Sequence, residues 1–297
     1  MASGMSYTKA RNAGLTSHMT TFCALSVVMA GVLVMMIDPA LAARPHEWQL
    51  GLQDAATPVA ERVQDFHTYV LYITTAITLF VMALLIYVML RFNSKTNPKP
   101  SQTSHNSLIE VIWTVIPLII VIMIAIPSFK LMYYMDRVEN PDMTLKVTGY
   151  QWYWGYDYPD HGDVSFRSYL KKGDDLEPGD KRLLSTTQPV VVPVDTNIQV
   201  LVTSADVLHS FAMPSFGIKK DAVPGRLNET WMRIEKPGTY FGQCSELCGD
   251  GHAYMPIEVK AVSKQKFREW VKEQGGEVGA LDKSAKNAEN TEKGDST

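Results

Sequence analysis

The chain has 297 residues, 46% of them hydrophobic and 20% charged, and a formal net charge of −3. It has no long basic run and so lacks the electrostatic footprint of a nucleic-acid binder; no nucleic acid is expected as a partner. A mean hydropathy of −0.06 hides strongly apolar and strongly polar segments side by side, and the length allows more than one domain.

Residues 1–42 read as a signal peptide. Lys9 and Arg11 precede an apolar run from Phe22 to Ile37, and Ala40-Leu41-Ala42 then supplies small residues for cleavage after Ala42. The alternative is a retained first membrane helix, for which the run is short against the ~20 residues that span a bilayer. Cys23 would leave with the signal, so the mature chain keeps Cys244 and Cys248. Two cysteines four apart in an exported protein form either a small disulfide loop or a metal pair.

An outward N-terminal segment, 43–65, follows. From Phe66 to Leu90, and again from Val111 to Phe129, there is no Asp, Glu, Lys or Arg. Each stretch can cross the ~30 Å hydrocarbon core as a helix, so spans are predicted over 66–92 and 109–135. Pro117 and Pro127 fall inside the second, where a neighbouring helix, water or a partner in the membrane must satisfy the carbonyls they free. The loop between the spans, 93–108, carries Lys95 and Lys99 just after Arg91, and no acid. Residues 43–65 carry Glu47, Asp54, Glu61 and Asp65 against two arginines. Positive-inside bias places the loop in the cytoplasm and both flanks outside, in agreement with the signal.

After Pro141 the pattern becomes short β-rich runs: Thr144 to Gly149, Pro189 to Pro193, Ile198 to Ser204, Glu229 to Glu235, Gly238 to Gln243 and Ile257 to Val262. Turn signals such as Glu177-Pro178-Gly179 separate them, which predicts a β-sandwich or barrel over 141–274, closed by a short helix at Phe267 to Glu273. Residues 275–297 are too polar to bury a core and are predicted to be a disordered tail.

The chemistry-bearing segment runs Gly242-Gln-Cys244-Ser-Glu246-Leu-Cys248-Gly-Asp-Gly-His252-Ala-Tyr-Met255-Pro256. One Cys with two His and a distant Met on a β-scaffold is the pattern of a mononuclear blue-copper site, and His209, after the strand ending at Ser204, can supply the earlier imidazole. The second cysteine departs from that pattern, because two thiolates on one loop can bridge a pair of metal ions. A disulfide and a structural zinc site are the competing readings of the pair taken alone.

The segment resembles the dinuclear copper site of subunit II of haem-copper cytochrome c oxidases. Gln151-Trp152-Tyr153-Trp154 resembles that family's aromatic patch, Ile109-Glu110-Val-Ile-Trp113-Thr-Val-Ile-Pro117 the start of its second membrane helix, and Lys220-Asp-Ala-Val-Pro-Gly-Arg226 its loop before the copper strand. The likeness spans about Phe66 to Val262. It implies a two-helix transmembrane hairpin followed by an all-β cupredoxin-like domain. Two copper ions would be held by His209, Cys244, the backbone carbonyl of Glu246, Cys248, His252 and Met255. The Glu246 side chain would bind a magnesium or manganese ion shared with the catalytic subunit.

The resemblance further implies that Trp152 receives the electron from cytochrome c and that Asp157 and Asp206 belong to an acidic docking patch. It makes Glu110 the cytoplasmic mouth of a proton path, where the helix dipole alone would also favour a carboxylate. The implied partners are cytochrome c, the haem-bearing catalytic subunit I, other oxidase subunits and the lipid bilayer, in a bacterial inner membrane with the C-terminal domain in the periplasm. The implied activity is electron transfer to haem for oxygen reduction coupled to proton pumping. Two other classes share parts of this pattern. A tethered copper carrier would need exposed, exchangeable ligands, and a quinol oxidase subunit would lack Cys244 and Cys248.

Overall fold

The structure is a computed structural model that describes residues 45, 47–136, 140–162 and 164–278. The predicted signal peptide, 1–42, and the part of the predicted polar tail after 278 lie outside the described residues.

Helix α1 spans Pro58–Arg91 and α2 spans Ser107–Asp136. Helix α1 begins ahead of the predicted residue 66, because Thr57 caps it: the Thr57 hydroxyl accepts from the Ala60 amide and donates to the Phe216 carbonyl, and Pro58 needs no amide partner at the first turn. At 34 residues, α1 is ~51 Å long by the rise per residue, well beyond a ~30 Å hydrocarbon core. Its first turn is packed on protein: Val59 and Ala60 are buried against the β-domain. Asn106 starts α2, its side-chain oxygen accepting from the amides of Leu108 and Ile109.

Pro127 removes the amide that would have bonded the carbonyl of Met123. The Tyr69 hydroxyl of α1 donates to that oxygen at 3.3 Å. The neighbouring helix thus satisfies one proline-freed carbonyl, which inside a bilayer has no water to turn to.

Ten strands follow: β1 Met143–Tyr150, β2 Tyr153–Tyr158, β3 Val164–Ser168, β4 Val190–Pro193, β5 Ile198–Ser204, β6 His209–Met213, β7 Ile218–Ala222, β8 Asn228–Met232, β9 Gly238–Cys244 and β10 Pro256–Val262. They form two five-stranded sheets, ordered β3-β2-β1-β5-β8 and β4-β10-β9-β6-β7. The expected all-β sandwich is therefore present. Four strands were not foreseen: β2, β3, β6 and β7. In β7, the run Ile-Lys-Lys-Asp-Ala offers apolar residues only at its ends, and in β3 the alternation Val-Ser-Phe-Arg is only four residues long, close to the shortest run that signals a strand.

The core lies between the sheets, where Leu145, Val147, Val200, Val202, Met232, Ile257 and Val259 alternate inward. Tyr158 ties one sheet to the other: its hydroxyl donates to the Val191 carbonyl at 3.0 Å and accepts from the Val191 amide at 3.2 Å. Helix α3, Lys264–Glu273, buries Phe267 and Val271 and starts three residues earlier than predicted, on the capping hydroxyl of Ser263. The polar segment from Gly275 begins folded: Glu277 donates its amide to the His161 carbonyl, while the His161 ring Nδ1 lies 3.1 Å from the Glu277 carbonyl.

The hairpin is fastened to the sandwich at both ends. The Ala56 amide bonds the Ser215 carbonyl, and the Glu235 amide bonds the Ala56 carbonyl. At the end of α2, Trp231 donates its indole N–H to the Tyr134 carbonyl at 2.8 Å and Thr230 its hydroxyl to Met135 at 3.1 Å. These are among the four carbonyls that a helix end leaves without partners. Gly217, with φ +69°, passes so close to α1 that a Cβ there would lie 2.9 Å from the Ala60 Cα.

Candidate metal centre

The site sits at one end of the sandwich, where β6 and β9 pair. Phe211 is opposite Cys244 in register, so His209 at the head of β6 and Cys244 at the tail of β9 come together. The chain then loops through residues 245–255 and returns as β10. The Cys244 amide bonds the Met255 carbonyl at 3.1 Å, and the Ser245 amide bonds Ser210 at 3.0 Å, closing the loop on itself and on β6.

Within this frame the sulfur and imidazole atoms converge. Cys244 Sγ lies 3.9 Å from Cys248 Sγ and 3.9 Å from His209 Nδ1, and Cys248 Sγ lies 3.6 Å from His252 Nδ1. The Glu246 carbonyl, 3.4 Å away, accepts from the Cys244 thiol. Both cysteines are free and buried. At 3.9 Å the sulfurs are far beyond the ~2.05 Å of a disulfide. They are still inside the ~4.6 Å that two ~2.3 Å metal–sulfur bonds can span. His209, Cys244 and Cys248 form the tight group able to hold a metal, and the donor set of reduced sulfur and imidazole fits a soft or borderline ion. Met255 is buried beside them in the core.

Electrostatics divide the cysteines. Burial works against ionisation of Cys244, but the contact with His209 and backbone amide bonds outweigh it and bring its thiol down to about 6. Burial, then the Cys244 charge, pushes the Cys248 thiol up to about 12. A metal touching both sulfurs displaces the protons they hold.

Asp206 orients the first imidazole. Its Oδ1 lies 2.9 Å from His209 Nε2, which leaves Nδ1 toward the sulfur. The other carboxylate oxygen accepts from the Gln151 amide at 2.7 Å. Burial opposes its charge, yet bonds from His209, Val207 and Gln151 keep its carboxyl below the ordinary range. Asp157 lies on β2 opposite Lys146 and pairs with it at 3.5 Å, both exposed.

Trp152 is 37% exposed and packs on the loop. Its indole N–H donates to the Cys248 carbonyl at 3.1 Å, and the Gln151 side-chain amide donates to the same oxygen at 2.9 Å. The indole occupies space that two glycines leave. A Cβ on Gly251 would lie 2.3 Å from Trp152 Cγ, and one on Gly249 3.1 Å from Cζ2. Sequence reasoning missed these roles of Gln151, Gly249 and Gly251; the Gly-Asp-Gly spacing inside the ligand loop was the available signal. Trp154, by contrast, is fully buried and meets His209 and Phe211 edge-on, as a packing residue should. Glu110 lies in the first turn of α2, away from this site along the chain's membrane hairpin.

Two long apolar helices tied to a β-sandwich, with reduced sulfur and imidazole donors gathered at one end, define a membrane-anchored metalloprotein. Residues 45–131 match the family model for the transmembrane domain of cytochrome c oxidase subunit II, and residues 143–262 match the model for its periplasmic domain. The probable cytochrome c oxidase subunit 2 of Rickettsia bellii is 48% identical over 259 residues, covering 87% of this chain and 94% of that protein. Cytochrome c oxidase subunit 2 of Oenothera berteroana is 49% identical over 238 residues, covering 78% and 92%. The solved periplasmic domain of subunit II of cytochrome oxidase from Bradyrhizobium japonicum is 50% identical, covers 47% of this chain and 97% of that one, and has a TM-score of 0.44.

The chain belongs to the cytochrome c oxidase subunit II family. It is a subunit of cytochrome c oxidase, with a transmembrane hairpin and a periplasmic β-domain, and copper and electron transport come with that membership.

Proposed function

We propose that this chain holds two copper ions between Cys244 and Cys248, with His209, His252, Met255 and the Glu246 carbonyl completing the ligand set. The copper pair, when bound, supplies the one-electron centre that takes electrons from cytochrome c and passes them to haem in the catalytic subunit. The observation that carries this reading is the 3.9 Å approach of two reduced sulfurs with an imidazole Nδ1 on either side. Around the ions, the chain's own groups fix ligand orientation, keep the sulfurs dry and hold the loop closed.

Trp152 is the surface group on which the donor settles, because its indole is both exposed and hydrogen-bonded to the backbone of a ligand residue. Asp157 and Asp206 contribute acidic potential that steers a lysine-rich partner, a contribution that weakens with salt. Lys146 offsets the first charge, and His209 engages the second. The Glu246 side chain holds a magnesium or manganese ion shared with subunit I. Glu110 admits protons on the cytoplasmic side of a bacterial inner membrane.

The deciding experiment measures copper content and visible and spin-resonance spectra of the full chain. Two coppers sharing one unpaired electron are expected; one copper, zinc alone or no metal overturns the reading. For Glu110, the Ala variant should slow proton-coupled turnover with the copper spectrum unchanged, and unaltered turnover removes the assignment.

A further inference from the structure

The hairpin carries a groove that the metal centre does not use. It lies between α1 and α2, has a volume of about 380 Å³, and is bounded by Phe66, Tyr69 and Pro127 together with Arg62, Asp65 and Lys130. Asp65 immediately precedes the charge-free stretch of α1, and Lys130 immediately follows that of α2. The groove therefore straddles the depth at which hydrocarbon gives way to headgroups on the outward side.

Its two halves differ in chemistry. Pro127 has no N–H, and the Tyr69 hydroxyl is engaged by the Met123 carbonyl, so the inner walls offer rings and methylenes rather than hydrogen bonds. The outer half carries two cations against one carboxylate. Arg62 stacks on the Tyr134 ring at 3.5 Å, which fixes the guanidinium at the seam between the helices and leaves its N–H edge for oxygen atoms. An apolar slot under a fixed, net-positive rim is complementary to an amphiphile with an anionic head.

We propose that this groove holds an anionic glycerophospholipid of the outer leaflet, its phosphate between Arg62 and Lys130 and an acyl chain along Phe66, Tyr69 and Pro127. A zwitterionic headgroup fits less well, because its ammonium would meet the same two cations. The proposal uses only the membrane hairpin and stands whether or not the metal centre is dinuclear.

The test uses the full chain in nanodiscs of phosphatidylcholine doped with phosphatidylglycerol, followed by native mass spectrometry of the retained lipid. Wild type should retain one phosphatidylglycerol selectively. Lys130→Gln should retain it about fivefold less, the scale of one basic residue's attraction to an anionic membrane surface, and Asp65→Asn should retain it more strongly. Arg62→Gln should act like Lys130→Gln, but it also removes the Tyr134 stack, so Lys130 carries the test. In the assembled oxidase, a photoreactive benzoylphenylalanine in place of Phe66 should capture lipid. Equal retention by wild type and Lys130→Gln, or capture of a partner subunit in place of lipid, overturns the proposal.

Discussion

Asp206 and His209 are joined through a 2.9 Å contact between the carboxylate Oδ1 and the ring Nε2, three residues apart in sequence. A metal bound at Nδ1 would leave the ring proton on Nε2, where Asp206 accepts it. The same carboxylate receives the Gln151 amide, so one acid sets both the imidazole and the turn that carries Trp152.

Removing that acid should loosen the metal. Asp206→Ala is expected to weaken copper retention about 10- to 100-fold, the range for losing a histidine's outer partner, and Asp206→Asn less, since an amide oxygen still accepts from Nε2. Competition with a graded chelator measures it; retention equal to wild type in the Ala variant would show that the contact does not orient the ring.

Gly251→Ala tests the seat of the indole. The new Cβ would lie 2.3 Å from Trp152 Cγ, so ring or loop must shift. A loss of about 1–3 kcal/mol is expected from such overpacking, with a change in tryptophan emission. An unaltered melting temperature and spectrum would mean that the loop accommodates the methyl freely.

Acid should weaken the β-domain through His161. The ring is fully buried against Phe267, 5.2 Å between centroids, with Nδ1 facing the Glu277 carbonyl. Burial lowers its proton affinity more than the Glu277 carbonyl and Asp160 raise it. The unfolded chain therefore binds a proton near ~6.5 that the folded chain does not, and stability falls as pH drops below that value toward the lowered folded one. Melting temperature followed from pH 7.5 downward should show this slope, and His161→Phe should flatten it. A slope that survives the substitution would place its origin in another group.

Tyr69 and Pro127 should prove coupled. Tyr69→Phe strands the Met123 carbonyl, whereas in a Pro127→Ala background the restored amide makes the hydroxyl redundant. A double-mutant cycle should give a coupling on the order of 1 kcal/mol, typical of hydrogen bonds between membrane helices. Additive effects would show that the contact contributes nothing.

The sequence made the hairpin legible because absence of charge over a bilayer's thickness is a one-dimensional signal. It made the ligand loop legible because four soft donors fall within twelve residues of one another. Strand β5, Ile198–Ser204, whose burial alternates strictly, emerged with its observed bounds. Strand β6 did not, although it delivers His209: His-Ser-Phe-Ala-Met is buried at nearly every position and has no polar face to mark its period. Asp206 suggested a surface charge when read in sequence, and its bond to His209 depends on a loop geometry that composition does not encode. The early start of α1 was hidden because its first turn is held by Phe216 and Gly217, more than 150 residues away.

The bonds from Thr230 and Trp231 to the last turn of α2 have a mechanical consequence. The β-domain is not a bead on a string: its strand β8 finishes the membrane helix, and residues 56 and 57 clamp the other leg. Any tilt of the hairpin in the lipid must carry the sulfur loop with it as one lever. How the two helices stand in the bilayer then sets the height and attitude of the loop outside it.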